Sequence, residues 1–174
     1  MSTDFIEVPE GVDVNVTGKE VKVKGKTGEL SRAYPFKEIE VKKEENKVLV
    51  TQKNKSSVSR TLVGTYMSHI KNMITGAQKP FVYRLKVAFT HFPITVSATS
   101  SEFSVQNFLG EKRPRKARIP EGVKVSVKGD EITVESPDIE LAGKTATLIE
   151  LTTKVRNKDK RIFQDGIYIV EKGK

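Results

Sequence analysis

Cysteine and tryptophan are both missing from this chain, and histidine occurs only twice, at His69 and His91. Without a thiol there is no disulfide, no thiolate nucleophile and no thiolate metal site. The two histidines sit apart, one in a helical stretch and one in a turn, so they form no metal pair. No apolar run approaches the ~18 residues that a membrane helix needs. The opening Met1-Ser2-Thr3-Asp4 has neither the basic nor the apolar region of a signal peptide. A cytosolic protein is therefore expected, and the sequons at Asn15 and Asn54 are read as chance. The acids are scattered, with no carboxylate pair at a telling spacing. Gly25-Lys26-Thr27 and Gly143-Lys144-Thr145 mimic the end of a P-loop, yet Glu20 and Asp138 stand where its first glycine must be. The expectation is a protein without catalysis, cofactor, metal, membrane or small-molecule substrate.

What the chain does have is repetition. Val8-Pro9-Glu10-Gly11-Val12 returns as Ile119-Pro120-Glu121-Gly122-Val123, 111 positions later, and the match continues through Gly18 against Gly129. A second register joins Val48 to Ile132, then Leu62-Val63-Gly64 to Leu141-Ala142-Gly143. The first covers only a hairpin and the second a strand pair followed by a helix, so the second is read as the duplication. Two copies are too few for a solenoid. The fold class expected is α+β: two tandem related domains, residues 1–80 and 81–174, each an antiparallel sheet with one helix packed on one face.

Period-2 alternation marks half-buried strands at Val12-Val14-Val16 and Val21-Val23, with a turn at Thr17-Gly18-Lys19-Glu20. Ile39-Glu40-Val41 and Val48-Leu49-Val50 make another pair. From Ser57 to Ile74 the period changes to three or four, which indicates an amphipathic helix with Gly76 as its stop. In the second half, strands are expected at 83–89 and 94–99, joined by His91-Phe92-Pro93, and a weaker one at 103–108. Val123-Val125-Val127 and Ile132-Val134 pair across Lys128-Gly129-Asp130. Ser136-Pro137-Asp138 starts a helix whose inner face is read as Leu141, Thr145, Leu148, Thr152 and Val155, and a strand at 167–170 closes the chain.

The charge is strongly basic, with 31 Lys and Arg against 22 Asp and Glu, a net of +9. This points to a polyanionic partner. The excess is shared, 14 against 10 in residues 1–80 and 17 against 12 in 81–174, but it clusters locally. Lys112, Arg113, Arg115, Lys116 and Arg118 crowd into seven positions without an acid, in what reads as a loop between strands. Lys154, Arg156, Asn157, Lys158, Lys160 and Arg161 follow the second helix, with only Asp159 against them. Arginine forks match phosphate geometry and lysine adds point charge. The plainer readings are a solvated loop for the first cluster and helix-dipole compensation for the second. Phe163 and Tyr168 interleave with the tail, either to stack on a base or to anchor the loop to the sheet. Lys53, Asn54, Lys55 and Arg60 form a weaker patch ahead of the first helix.

Particular residues go further than composition. Val8-Pro9-Glu10-Gly11-Val12, Gly25-Lys26-Thr27-Gly28-Glu29-Leu30, Leu62-Val63-Gly64-Thr65 with Asn72-Met73, Val105 to Lys112, Val155 to Asp159 and Asp165-Gly166-Ile167-Tyr168 carry a resemblance over essentially the whole chain. It resembles the protein six family of the large ribosomal subunit, in its archaeal form. That resemblance implies a structural ribosomal protein, cytoplasmic within the large subunit. It also implies binding to large-subunit ribosomal RNA chiefly through the C-terminal domain, beside the sarcin–ricin region and the factor-binding stalk base. Neighbouring ribosomal proteins and translation factors are the further partners implied. Where bacterial relatives carry a Lys-Gly-rich stretch, this chain has Asp159-Lys160-Arg161-Ile162-Phe163-Gln164. The rival reading from composition is a protein–protein adaptor that turns its basic surface and sheet edges toward an acidic partner.

Overall fold

A computed structural model describes residues 3–18, 20–35, 39–44, 47–52, 56–159 and 161–173, apart from the side chains of Thr3, Asp4 and Ser57. The chain divides into two compact units, Met1–Pro80 and Phe81–Lys174. Among the described residues no helix is long and apolar enough to cross a membrane.

Unit 1 contains β1 (Thr3–Glu7), β2 (Asp13–Thr17), β3 (Glu20–Gly25), β4 (Gly28–Ala33), β5 (Ile39–Glu44), β6 (Lys47–Gln52) and α1 (Ser57–Gln78). The strands form two antiparallel sheets, β2-β3-β4 and β1-β6-β5. Alternate valines turn inward, Val21 and Val23 on β3 and Val48 and Val50 on β6, and all four are buried. They meet Val63, Tyr66, Ile70, Met73, Ile74 and Ala77 from one face of α1. Each such valine or isoleucine contributes roughly 1.5–3 kcal/mol by leaving water.

Ser56 caps α1 by accepting a hydrogen bond from the Val58 N–H at 3.3 Å. The helix does not stop at Gly76. It runs to Gln78 and ends where Lys79 turns extended ahead of Pro80, because the carbonyls of Gly76 and Ala77 have partners outside the helix. Thr27 Oγ1 donates to the Gly76 carbonyl at 2.6 Å and the Thr27 N–H to the Ala77 carbonyl at 3.2 Å. A Cβ on Gly25 would collide with the Ala77 carbonyl oxygen. Gly25-Lys26-Thr27 is thus the β3–β4 turn docked against the helix end, a packing motif rather than a phosphate cradle. β4, which the alternation did not reveal, completes this sheet.

Unit 2 contains β7 (Phe81–Ala88), β8 (Thr95–Ala98), β9 (Glu102–Gln106), a 3-10 turn (Phe108–Gly110), β10 (Arg115–Arg118), β11 (Lys124–Lys128), β12 (Glu131–Ser136), α2 (Ile139–Thr152) and β13 (Gly166–Glu171). Its sheets are β8-β9-β10 and β11-β12-β7-β13, again antiparallel throughout. The plan of unit 1 returns: β7 stands for β1, the three-stranded meander for β2-β3-β4, and β11, β12 and α2 for β5, β6 and α1. β13 is the addition. The Val48-to-Ile132 register is therefore the one the architecture follows. The 111-residue echo joins inequivalent places, the link from β1 to β2 and the link from β10 to β11. What it shares is turn chemistry: Gly11 and Gly122 sit at φ 86° and 83°, Gly18 and Gly129 at 63° and 59°, where glycine avoids the Cβ penalty.

Four expectations are corrected here. The segments before and after His91-Phe92-Pro93 belong to different sheets and do not form a hairpin. Residues 115–118, read as loop, pair with β9 as a strand. The cap of α2 is Asp138, whose Oδ1 accepts from the Glu140 N–H at 2.8 Å. Ser136 instead ends β12, buried, and donates to the Gly122 carbonyl at 3.0 Å. The inner face of α2 is also turned: Ala142, Thr145, Ala146 and Ile149 are buried, while Leu148 and Leu151 are exposed. Small alanines allow the helix to lie close on the sheet, and a reading weighted toward leucine misses them.

Candidate nucleic-acid interface

The segment between β9 and β10, residues 107–114, reverses the chain. Asn107, Leu109 and Gly110 all take positive φ, at 58°, 50° and 77°. For Leu109 this left-handed conformation costs roughly 1–2 kcal/mol. Phe108, fully buried, anchors the turn, and the Asn107 amide donates to the Pro93 carbonyl at 3.0 Å. The reversal sets Arg115, at the start of β10, over the Phe108 ring at 4.4 Å.

Arg115 then commits most of its donors. Nε and Nη2 fork onto the Glu111 carboxylate at 2.8 and 2.6 Å, and Nη1 donates to the carbonyls of Thr152 and Lys154 at 2.9 and 3.1 Å. Four of five N–H groups are occupied, so this guanidinium has little left for a phosphate. Its bond to the carbonyl of Thr152, the last residue of α2, also places positive charge at the negative end of the helix. The Glu111 carboxyl is held below its usual range, chiefly by the hydrogen bond from Arg115, which outweighs partial burial.

Arg115 thereby brings together two basic stretches, bonding to Lys154, 39 positions further along the sequence. Lys112 and Arg113, on the reversal before β10, are exposed, and among the described residues neither has an acidic partner. Lys116 pairs with Glu102 at 2.9 Å across the sheet, an exposed contact of small energetic value. Arg118, at the far end of β10, is exposed as well.

The tail from 153 to 165 is held at both ends. At its start, besides the Arg115 bonds, Thr153 Oγ1 accepts from the Ile167 N–H at 2.8 Å. At its end, the buried Asp165 carboxylate accepts from the Thr90 and His91 N–H groups at 2.9 and 3.2 Å, with the His91 ring Nδ1 at 3.2 Å. Burial alone would raise the Asp165 pKa. The Thr90 amide and the ring and amide of His91 more than offset it, and the carboxyl lies below its ordinary value. Between these ends, Asn157 takes φ 56°. Asp159 closes a turn, its side chain accepting from the Arg161 N–H at 2.9 Å and its carbonyl from the Phe163 N–H at 2.9 Å. The only acid between Lys154 and Gln164 is therefore part of the loop's frame.

Lys154, Arg156, Asn157, Lys158 and Arg161 are all exposed along this frame. Lys158 lies over the Phe163 ring at 4.5 Å, and Phe163 stacks on His91 at 4.9 Å. Tyr168 donates its hydroxyl to the Gln164 carbonyl at 2.8 Å. Both aromatics thus act as loop anchors. Lys160 lies outside the described residues, as do Lys53, Asn54 and Lys55; Arg60, in unit 1, is exposed on the first turn of α1. No cluster of three metal-ligating side chains occurs among the described residues.

Sequence reasoning passed over Glu111, Thr153 and Asp165 as functional supports. Glu111 and Arg115 stand four residues apart, but that spacing pairs side chains only on a helix, and residues 111–115 are not helical. Nothing local announces that Asp165 meets residues 90 and 91.

Comparison with known proteins follows the same pattern of two units. The model of the ribosomal protein L6 family matches residues 8–79 and again 92–166. Similar proteins include large ribosomal subunit protein uL6 of Methanothrix thermoacetophila, 46% identical over 167 residues, 96% of this chain and 95% of the relative. The proteins of the same name from Aeropyrum pernix and Sulfurisphaera tokodaii are 47% and 44% identical over 168 residues, again 96% of this chain and 92% and 90% of theirs. Two matched repeats and near-complete coverage lead to one conclusion: the chain belongs to the ribosomal protein L6 family.

Proposed function

We propose that this protein is a non-catalytic component of the large ribosomal subunit in the cytoplasm and holds large-subunit ribosomal RNA through unit 2. The observation that carries this is the braced corner where Arg115 joins the end of α2 to the β9–β10 reversal. Lys112, Arg113, Lys154, Arg156, Lys158 and Arg161 are displayed around it on segments tied down by hydrogen bonds at their ends. Preorganisation matters because ordering a loop on binding costs free energy that a pre-set loop has already lost. Phosphate neutralisation then supplies affinity, and the folded shape of the RNA supplies specificity, since A-form grooves are poorly read by side chains. Arg115 serves as the brace, Lys116 and Arg118 extend the surface along β10, Asn157 belongs to the same loop, and Lys160 is a further candidate contact by its place in the sequence. The patch at Lys53, Asn54, Lys55 and Arg60 is a minor contact.

Family membership supports a location beside the sarcin–ricin region and the factor-binding stalk base, with neighbouring ribosomal proteins and translation factors as further partners. The test is the salt dependence of binding to a large-subunit RNA fragment that includes that region. If ~6 cations meet phosphates, log affinity falls with log salt at a slope of roughly −4 to −5. Replacing Arg156, Lys158 and Arg161 together by alanine should flatten the slope by about two to three units. An unchanged slope would remove the tail from the interface.

A further inference from the structure

The two units share one plan except at a single place. In unit 2, β13 lies along β7 and beneath α2, whereas among the described residues nothing pairs with the outer edge of β1. The equivalence can be followed residue by residue. Val48 of β6 and Ile132 of β12 occupy the same buried position, Ile6 faces Val48, and Leu85 faces Ile132. One step on, Glu7 faces Lys47 where Lys86 faces Glu131. β1 is therefore β7 with its outer neighbour left out.

Space for that neighbour is open. A groove beside β1 is lined by Ile6, Met67, Ser68, Lys71, Ile74 and Gln78, the helical residues running from the middle of α1 to its end. In unit 2 the matching space holds β13. Ile167 is buried there, and Ile169 turns the same way two residues on. Their N–H groups donate to Thr153 Oγ1 at 2.8 Å, just after α2, and to Glu150 Oε1, on α2, at 3.3 Å. An open strand edge of this kind is a template for strand addition.

Charge specifies one position of the occupant, the one beside Glu7, while Lys71 lines the helical side of the groove. β13 sets Tyr168 opposite Lys86. The same position on β1 is the exposed acid Glu7, whose ion pair to Lys47, among the described residues, is long at 3.9 Å. We propose that the edge of β1 accepts an extended, basic segment of another polypeptide. It runs antiparallel to β1, with β-branched side chains toward Met67 and Ile74 and a cation opposite Glu7. Unit 1 then acquires the four-stranded sheet that unit 2 builds from its own chain.

The probe is a peptide spanning Asp165–Lys172 with Tyr168→Lys, titrated onto the purified full-length protein and followed by hydrogen exchange. The expected result is slowed exchange of the amides of residues 3–7. The matching Tyr168→Glu peptide should bind about tenfold more weakly, the difference between an opposite and a like cross-strand charge pair. In the Glu7→Lys protein the preference should invert. Unchanged exchange at 3–7, equal affinity for the two peptides, or no inversion would each overturn the proposal. So would slowing that appears with protein concentration alone, which assigns the edge to a second copy, or slowing produced by an RNA oligonucleotide instead of the peptide. Because the peptide titration contains no ribosomal RNA, its failure leaves the RNA-binding reading of unit 2 untouched.

Discussion

Asp165 illustrates how one side chain can hold a candidate binding loop without belonging to its surface. Its carboxylate is buried and would be costly to leave unpaired, but two backbone N–H groups and the His91 ring converge on it. Because its folded pKa lies below the ordinary value of 3.8, its stabilisation is fully present above that value. That contribution is lost as pH falls through the folded pKa. Asp165→Asn should therefore destabilise unit 2 by about 1–3 kcal/mol at neutral pH, the cost of disrupting buried hydrogen bonds. The difference from the wild-type protein should shrink once the pH drops below about 4. Urea unfolding of both proteins at pH 7 and pH 3 measures this directly.

Among the elements, the decisive piece is the β9–β10 reversal. Its left-handed Leu109 is tolerated because Phe108 is buried and Arg115 is tied down. Removing the brace should loosen the far end of the network, the tail that begins at Thr153. Arg115→Ala should speed tryptic cleavage within 154–161 several-fold at unchanged pH, about 1 kcal/mol or more of lost local stability. Arg115→Lys should restore little of it, because an ammonium cannot fork onto Glu111 while reaching two carbonyls. Cleavage rates read by mass spectrometry distinguish the three proteins. The cluster of charge at 112–118 was legible in the sequence. The division of labour within it was not, since Arg115 and Arg113 differ only in what the fold sets beside them.

For the molecule as a whole, each unit has its own core, one built around Val14, Val48 and Ile70, the other around Phe103, Ile132 and Ile149. Independent cores predict that residues 81–174 fold when expressed alone. Their RNA affinity should then fall with salt at a slope within about one unit of the full chain's, because the braced cations all lie in that unit. Circular dichroism and the same binding titration test both parts. The charge excess, by contrast, is nearly even between the halves. What separates the units is therefore how the cations are arranged rather than how many there are.

Local pattern was enough for the fold class, because period 2 against period 3.6 depends only on neighbouring residues. Val21 and Val23 announced a strand and Leu62, Tyr66 and Ile70 a helix whatever the rest of the chain did. The basic excess and the residues shared with the L6 family were likewise written in the chain itself. Pairing was not, since a hydrogen bond between residues 74 positions apart, as from His91 to Asp165, leaves no trace in local periodicity. Only the tertiary structure decided that Pro9-Glu10-Gly11 and Pro120-Glu121-Gly122 occupy different places. It also made Arg115 a brace and left β1 with the open edge that β13 closes in the second unit. Those outcomes depend on which surfaces meet, and that is settled by packing over the whole unit.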